Sequence, residues 1–398
     1  MSNANRIYER STRASLYNEN KIEFVHEPMF LGAGRNTQRF ESLKYDDFDK
    51  SNDEQQGFDW KHDEISLIKD IKDFKGPMTI AERFVVTRTF QKLIFLDSLN
   101  GRGPFLTLGQ IATLPELECV ILTWNHFEAN KHSRTYTEEL RALYDNPSDI
   151  FDESFNLPEL TKISSSIRKP FERAYFNIIG YIYNIQRDIE ITDEQLEELK
   201  ISIVMLLIEI NSLEGIRFYP GFAAVWALTE GQKYIPGTSE NLSLICRDEN
   251  THLALTQNIL KNLRRKENEG FVDTYKKCMN DIEKRYIEVY HEELEWIDYL
   301  FSQGSYIGMN SNILKQYLTY ITIRRMKGIG IKVTKEMLSG NWCEKNPLPW
   351  IDKYINMDLV EKLPQEEKVL NYVTGGVDQD IDIDHEHVLA KEILGDLF

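Results

Sequence analysis

A carboxylate, an imidazole and a phenol lie in the middle of an apolar helical face at residues 117–143. With helical spacing, Glu128, His132 and Tyr136 fall at i, i+4 and i+8, so they stand one above another. The residues at the same spacing before and after them are apolar, and such a face normally packs against a core. The pattern therefore predicts that three polar side chains are buried together.

Three further helical segments place charge on an apolar face in the same way. Asp97 and Glu214 each lie on an apolar face of their own segment, and Glu249 shares such a face with His252. Any one of these residues alone is more typical of a face edge or of a hydrogen-bonded core position. Recurrence on four helices favours a common site, because four buried carboxylates without partners would each cost several kcal/mol.

A pair of divalent cations would compensate this buried charge. Two cations neutralise four carboxylates and also accept nitrogen from two neutral imidazoles. Two single carboxylates and two Glu/His pairs, contributed by four helices, form the ligand set of di-iron and di-manganese carboxylate bundles. Oxygen and imidazole donors suit both iron and manganese, so the sequence leaves the choice of metal open.

The chain as a whole is predicted to form long helices separated by breakers such as NGRGP at 100–104 and IPGT at 235–238. Strand-like alternation is scarce and no internal repeat is visible. We therefore predict an all-α fold, one large bundle rather than several small domains. The predicted helices are 80–100, 115–144, 164–188, 194–230, 239–265, 270–302 and 310–330.

The composition excludes several classes of protein. Asp and Glu total 64 against 47 Lys and Arg, a formal net charge of −17, which is unsuited to binding nucleic acid. No run of about 18 apolar residues occurs and the N-terminus is polar, so neither a membrane span nor a signal peptide is predicted. The four cysteines form no CxxC pair, which is typical of a reducing compartment. We predict a cytoplasmic protein.

Eight short blocks of the sequence resemble the small, radical-generating (beta) subunit of class I ribonucleotide reductase. Any one block is weak evidence, whereas eight in register over nearly everything after residue 26 are specific. The blocks are EPMF (27–30), FDWKHDE (58–64), LDSLNGRGP (96–104), HSRTY (132–136), LEGIRFY (213–219), CRDENTHL (246–253), NPLPWI (346–351) and LPQEEKVLNY (363–372).

This resemblance implies a fold and an activity. The fold would be a ferritin-like dimetal carboxylate bundle over residues 27–357, between a disordered tail at 1–26 and a flexible tail at 358–398. The activity would be that of ribonucleoside-diphosphate reductase, in which the small subunit supplies the radical that starts reduction of ribonucleotides to deoxyribonucleotides.

The same resemblance assigns roles to the buried polar residues. Tyr136 matches the tyrosine that becomes a stable radical when a dimetal centre reacts with dioxygen. Phe218, Phe222 and Ile245 match the apolar residues beside that tyrosine. The cofactor would be two iron ions per chain, two manganese ions or one of each. The implied ligands are Asp97, Glu128 and His132 for one metal ion, and Glu214, Glu249 and His252 for the other.

Three other residues match the family's path for passing the oxidising equivalent to a cysteine in the large (alpha) subunit. Asp248 and Trp60 would carry it near the metals, and Tyr372 would continue it in the C-terminal tail. The last residues of this tail would dock on the large subunit, and the small subunit would form a homodimer. Without the family, Trp60 is an ordinary core aromatic and Tyr372 an ordinary tail tyrosine.

The segment EANKH departs from the family pattern. The family has Glu-x-x-His, but Glu128 and His132 are separated by three residues. Counting forward from the preceding ligand places Lys131 at the histidine position, and counting back from the radical tyrosine places Ala129 at the glutamate position. We favour Glu128 and His132, with the additional residue absorbed as a π-bulge, a feature common at functional sites.

A second departure is Pro220 in the segment FYPGF. Proline donates no backbone N–H and its ring clashes with the carbonyl four residues earlier in a helix. We therefore predict a distorted helix just after Glu214.

Two other functions remain open from the sequence. A dimetal oxidase or oxygenase on the same bundle would explain the ligands but not the block around Tyr372. A metal-poor regulatory subunit would explain Lys131 beside the first metal site. The sequence also leaves open whether the oxidant is stored on Tyr136 or at the metals, whether an activase is needed, and whether diphosphates or triphosphates are reduced.

Overall fold

The computed structural model of the chain describes residues 16–355. These residues form helices, and their strand-like pairing is limited to two isolated β-bridges. The prediction of an all-α fold is confirmed, whereas the predictions for the C-terminal tail, Tyr372 included, lie outside the described residues. The α-helices of eight residues or more are α1 (Asp46–Gly57), α2 (Ile68–Lys75), α3 (Ile80–Asn100), α4 (Pro115–Phe127), α5 (Ser133–Leu143), α6 (Pro147–Ser154), α7 (Pro158–Gln186), α8 (Asp193–Ser212), α9 (Tyr219–Gln232), α10 (Pro236–Arg265), α11 (Val272–Leu300) and α12 (Ser311–Gly328).

The ends of the long helices follow from local sequence signals. Thr79 caps α3, since its hydroxyl accepts the N–H of Glu82 while the Glu82 carboxylate accepts the N–H of Thr79 at 2.7 Å. α7 begins earlier than the predicted start at 164, with Pro158 at the first helical position. Proline suits this position because the first N–H groups of a helix have no intrahelical partner.

Three shorter helices, α1, α2 and α6, were not among the predicted elements. In α1, Phe48 is the only apolar side chain, and the other buried residues are Asn52 and Gln55. A helix whose buried face is mostly polar shows no apolar periodicity, so the pattern that predicts the long helices is absent here.

The long helices enclose one continuous core. α3 packs on α5 and α9, and α10 packs on α8 and α9, while α7 and α11 cover the outer side of α8. This packing brings the inner faces of the four charge-bearing helical segments to one place at the centre of the bundle. None of the described helices is both long and apolar enough to cross a membrane.

Two of the long helical segments are interrupted by π-helical turns. The first, Glu128–His132, lies between α4 and α5 and confirms the predicted π-bulge. The second, Leu213–Arg217, lies between α8 and α9, so the helix is distorted at Glu214 itself as well as just after it, where the distortion was predicted. Pro220 follows this turn at the second position of α9, where its missing N–H leaves no intrahelical hydrogen bond unmade.

Gly101, directly after α3, lets the segments that carry Asp97 and Glu128 approach each other closely. A Cβ atom at this position would lie 2.8 Å from the carbonyl oxygen of Asp97 and 3.3 Å from the Cβ of Glu128. The φ angle of −67° is helical, so glycine is needed here for space rather than for backbone conformation.

The N-terminal segment before residue 27 is described from residue 16 onward. Ile22 and Phe24 are buried, and the Asn18 side chain donates to the carbonyl oxygen of Ala33 at 2.9 Å. Packing against the bundle therefore begins before the predicted boundary at residue 26.

Candidate metal centre

Six fully buried side chains from four helical segments meet at the centre of the bundle. They form two overlapping groups whose potential ligand atoms lie within 4.8 Å of one another. Two glutamates belong to both groups. The first group is Asp97, Glu128, His132 and Glu249, and the second is Glu128, Glu214, Glu249 and His252.

The two shared glutamates lie between the two imidazoles. Oε2 of Glu128 is 3.2 Å from Nδ1 of His132, and its Oε1 is 3.0 Å from Nδ1 of His252. Oε1 of Glu249 is 3.2 Å from Nδ1 of His132, and its Oε2 is 3.1 Å from Nδ1 of His252. Each carboxylate therefore presents one oxygen to each half of the site, as a bridging ligand does.

The other two carboxylates lie at the ends of the cluster, one beside each imidazole. Asp97 is 3.9 Å from Nδ1 of His132, and Glu214 is 3.8 Å from Nδ1 of His252. Both oxygens of Asp97 and Oε2 of Glu214 have no hydrogen-bond partner among the described residues. Buried carboxylate oxygens seldom lack partners. Cations between these oxygens and the imidazoles would satisfy them, so the donor set fits a pair of iron or manganese ions.

The two terminal carboxyl groups hold their protons more tightly than free carboxyl groups do. Burial raises the pKa of Asp97 and of Glu214 well above the ordinary carboxyl range. Repulsion from the shared Glu128 and Glu249 raises both pKa values further.

The shared glutamates and the histidines form charged pairs. Burial alone would raise the pKa of Glu128 and Glu249, but the adjacent imidazoles lower both below the ordinary value. Burial alone would lower the pKa of His132 and His252, but the carboxylates around them raise both above the ordinary value. Carboxylates and imidazoles of the cluster therefore stabilise each other's charged forms, and any protons they hold would compete with bound metal ions.

Neutral donors orient the ligand carboxylates. The Asn100 side-chain amide donates to Oε1 of Glu128 at 2.8 Å and to Oε1 of Glu214 at 2.6 Å. The Trp124 indole N–H donates to Oε1 of Glu128 at 3.0 Å. Such supporting contacts fix the orientation of metal ligands.

Sequence reasoning missed these supporting residues, for different reasons. Asn100 lies three positions after Asp97, and Trp124 lies four positions before Glu128. Helical spacing could therefore have found both. Gln55, whose amide is 2.5 Å from Nε2 of His252, lies on the mostly polar α1 and had no such signal.

The π-helical turn decides which residues of EANKH face the cluster. Glu128 and His132 are fully buried and point inward, whereas Ala129 is exposed. Lys131 is directed away from the carboxylates, and its ammonium group contacts the carboxylate of Asp59 and the carbonyl oxygen of Trp60. Neither Ala129 nor Lys131 therefore contributes an atom to the cluster of carboxylates and imidazoles.

Trp60, Asp248 and His132 form a hydrogen-bonded chain beside the cluster. The Trp60 indole N–H donates to Oδ2 of Asp248 at 2.8 Å, and the same oxygen is 3.2 Å from Nε2 of His132. The Trp60 ring is stacked on the His132 ring, with 6.3 Å between the centroids and 22° between the planes. All three side chains are buried.

Tyr136 is fully buried on α5, with the Phe90 ring centroid 5.9 Å from its own. Burial raises the pKa of Tyr136 well above that of a free phenol, and the charge of the neighbouring Asp97 carboxylate raises it further. The hydroxyl makes no hydrogen bond of ordinary geometry to a described residue. The phenol is therefore neutral and shielded from water.

The apolar residues expected beside Tyr136 are fully buried in the same core. Phe218 directly follows the second π-helical turn, and Phe222 lies on α9 with its ring stacked 5.8 Å from that of Phe218. Ile245 lies on α10, one turn before the ligand Glu249.

This arrangement defines the class of dimetal carboxylate helical bundles: four helical segments supply four carboxylates and two histidines to one buried cluster.

The comparisons with known proteins narrow the class further. A family model described as "Ribonucleotide reductase, small chain" matches residues 38–334. The ribonucleoside-diphosphate reductase subunit beta of Buchnera aphidicola subsp. Baizongia pistaciae is 37% identical over 372 residues, which cover 92% of this chain and 96% of the relative. The ribonucleoside-diphosphate reductase 1 subunit beta of Escherichia coli O157:H7 is 32% identical over 375 residues, which cover 92% of this chain and 97% of the relative.

Solved structures share the fold. The ribonucleotide reductase R2 subunit from Clostridium botulinum has a TM-score of 0.68 at 23% identity, covering 87% of this chain and 99% of that one. The dimanganese(II) form of Streptococcus sanguinis NrdF has a TM-score of 0.60 at 17% identity, covering 80% and 98%. This chain belongs to the ribonucleotide reductase small-chain family. The predicted ferritin-like bundle and the predicted enzyme subunit are thereby confirmed.

Proposed function

We propose that this chain is the radical-generating subunit of a ribonucleoside-diphosphate reductase, with two metal ions, iron or manganese, held between its four carboxylates and two histidines. The beta subunits that it resembles carry this enzyme name, and one similar structure is described as dimanganese(II). The observation that carries the proposal is the placement of Glu128 and Glu249, each with one oxygen facing each histidine.

The ligands would divide into one bridging pair and two terminal pairs. Asp97 with His132 would complete one site and Glu214 with His252 the other, while Asn100 holds Glu128 and Glu214 in place. When bound, a pair of such ions supplies the capacity to reduce dioxygen and to oxidise a nearby phenol by one electron.

Tyr136 would store the oxidising equivalent. Because burial and Asp97 raise the pKa of the phenol, it keeps its proton at neutral pH, and its one-electron oxidation must release that proton. Asp97, which would lose its own proton on binding a metal ion, would then be the neighbouring carboxylate that accepts the phenol proton. The fully buried position among apolar side chains would then protect a neutral phenoxyl radical from water.

The hydrogen-bonded chain of Trp60, Asp248 and His132 would connect this site to the large subunit. Asp248 already accepts the indole N–H at 2.8 Å. It can therefore take up the indole proton when an electron leaves Trp60, and return that proton when an electron enters. Tyr372 would carry the oxidising equivalent onward in the C-terminal tail, which would dock on the large subunit of the enzyme. The small subunit would act as a homodimer.

The proposal is tested by turnover of ribonucleoside diphosphates with the purified large subunit. We expect product only when both subunits are present, and we expect Tyr372→Phe to keep the Tyr136 radical while losing turnover. Tyr354→Phe is the matched control, because the Tyr354 hydroxyl donates to Glu230 outside the proposed route. Normal turnover in Tyr372→Phe would contradict the route. Product made without a large subunit would contradict the proposal that this chain only supplies the radical to a separate catalytic subunit.

A further inference from the structure

The additional residue of the first π-helical turn changes the direction of Lys131. Glu128 and His132 both remain on the inner face, while Lys131, between them, is turned towards the loop that follows α1. The Lys131 side chain is only 11% exposed. Its ammonium group lies 5.6 Å from the centroid of the Phe127 ring.

Lys131 holds the main chain of Trp60. Its Nζ donates to the carbonyl oxygen of Trp60 at 2.5 Å and also contacts the carboxylate of Asp59. The Asp59 carboxylate is 67% exposed, so solvent weakens this ion pair. The bond to the Trp60 carbonyl is buried and charge-assisted, and it is therefore the stronger of the two contacts.

The loop that carries Trp60 depends on such side-chain contacts. Residues 58–60 follow the end of α1 and belong to no helix or strand. Arg247 on α10 donates to the carbonyl oxygen of Phe58 at 2.8 Å and stacks on the Phe58 ring at 4.4 Å. Two cations from two different helical segments thus hold the carbonyl groups on either side of Asp59.

Adjacent residues of one helical turn contact opposite ends of Trp60. Lys131 binds its main-chain carbonyl, while His132 stacks on its ring and contacts the Asp248 oxygen that accepts its indole N–H. The main chain and the indole of Trp60 are therefore both held by residues of the same helical turn, directly or through Asp248. We propose that Lys131 is a positioning residue. By binding the main chain of Trp60, it keeps the indole N–H hydrogen-bonded to Asp248, and the proposed electron transfer depends on that bond.

This inference rests on the proposed function for its consequence, but the positioning itself can be measured in the metal-free protein. The probe is the Trp60 indole N–H, observed by NMR of protein labelled with ¹⁵N-tryptophan and assigned with the Trp60→Phe variant. In Lys131→Met we expect the indole N–H to exchange with solvent about tenfold faster or more, the equivalent of one lost hydrogen bond to a charged group. Lys131→Arg should restore slow exchange, since a guanidinium can also donate to the carbonyl.

Two controls separate this contact from a loss of charge. Lys61→Met removes an exposed positive charge next to Trp60 in the sequence, and it should leave the exchange rate of the indole N–H unchanged. Asp59→Asn removes only the exposed ion pair and should have a smaller effect than Lys131→Met. An unchanged rate of indole N–H exchange in Lys131→Met would overturn the proposal.

Turnover of the metal-loaded enzyme with the large subunit completes the test. We expect turnover to fall in Lys131→Met, in parallel with the faster indole exchange, and to recover in Lys131→Arg. Full turnover in Lys131→Met despite a freed indole would overturn the role of Lys131 in electron transfer. Full turnover in Trp60→Phe would show instead that the proposed route itself is wrong. The two failures are therefore distinguishable.

Discussion

Glu128 and Glu249 occupy equivalent positions between the two histidines, each with one carboxylate oxygen directed to either imidazole at 3.0 to 3.2 Å. The two residues come from different helical segments, the first π-helical turn and α10. Each of them belongs to both groups of potential ligands, whereas Asp97 and Glu214 each belong to one group.

Loss of a shared carboxylate should therefore affect both metal ions. In Glu128→Gln we expect the protein to retain little of either ion, because an amide has no charge and only one acceptor oxygen. In Asp97→Asn we expect loss of one ion in preference to the other. The measurement is metal content per chain after anaerobic loading with Fe(II) and desalting. Glu139→Gln is the control, since this buried carboxyl accepts from Thr238 and Asn241 away from the cluster. Retention of a full complement of metal in Glu128→Gln would exclude the bridging role.

Metal binding should release protons. The pKa values of Asp97, Glu214, His132 and His252 are all raised, so each group keeps its proton to a higher pH than usual and that proton competes with a bound cation. The affinity for metal ions should therefore fall as the pH falls. The apparent dissociation constant should rise about tenfold per pH unit for each proton displaced.

An anaerobic Mn(II) titration in weakly buffered solution, followed with a pH indicator, measures this release directly. Asp97→Asn should release fewer protons per metal bound than the unaltered chain. A dissociation constant that stays constant between about pH 6 and pH 8, around the ordinary histidine pKa, would contradict this account.

Lys92 should contribute strongly to stability. Its ammonium group is buried and lies 2.5 Å from a carboxylate oxygen of Glu293, which is also fully buried, and it donates to the carbonyl oxygen of Arg217 at 3.2 Å. Lys92→Met would leave Glu293 with Arg217 as its remaining partner, at 3.3 Å. We expect a loss of about 3 kcal/mol in the free energy of unfolding, as for other broken buried pairs.

Urea denaturation of the metal-free protein measures this loss. The matched control is Lys162→Met, which removes an ion pair with Glu295 whose two side chains are both mostly exposed. This control should change stability very little, because solvent screens such pairs. Equal effects of the two substitutions would show that burial of the Lys92 pair is not what matters.

A methyl group at Gly101 should disturb the proposed metal centre although it replaces none of the six clustered side chains. The added Cβ would lie 2.8 Å from the Asp97 carbonyl oxygen and 3.2 Å from the Ala129 nitrogen, so α3 and the π-helical turn must separate. We expect Gly101→Ala to cost about 1–3 kcal/mol, as overpacking does, and to weaken metal binding. Gly57→Ala, which meets no atom within 4 Å, is the control and should be neutral or stabilising. Unaltered metal affinity in Gly101→Ala would contradict the close approach of the two segments.

The helices that carry the ligands could be predicted because their inner faces are apolar apart from the ligands. The helix predicted at 80–100 is Ile80–Asn100 in the structure, and the one predicted at 239–265 is Pro236–Arg265. The first π-helical turn could also be predicted, because one additional residue between two inward-facing ligands must be absorbed within the helix.

The contacts around the ligands could not be predicted in the same way. The bond from Lys131 to the Trp60 carbonyl joins residues 71 positions apart, and helical periodicity carries no information about such a pairing. Gln55 reaches His252 from α1, whose mostly polar sequence lacks an apolar face. Local spacing thus predicted the six side chains that the structure brings together, whereas the supporting contacts depend on how distant segments pack.

The most direct test of the central claim is an electron paramagnetic resonance spectrum of metal-free protein loaded with Fe(II) and exposed to air, recorded for the unaltered chain and for Tyr136→Phe. We predict a tyrosyl radical signal in the unaltered chain and its loss in Tyr136→Phe with the metal content preserved. Tyr290→Phe, a buried tyrosine on α11 that bonds Thr319, should keep the signal. An undiminished tyrosyl signal in Tyr136→Phe would contradict the account.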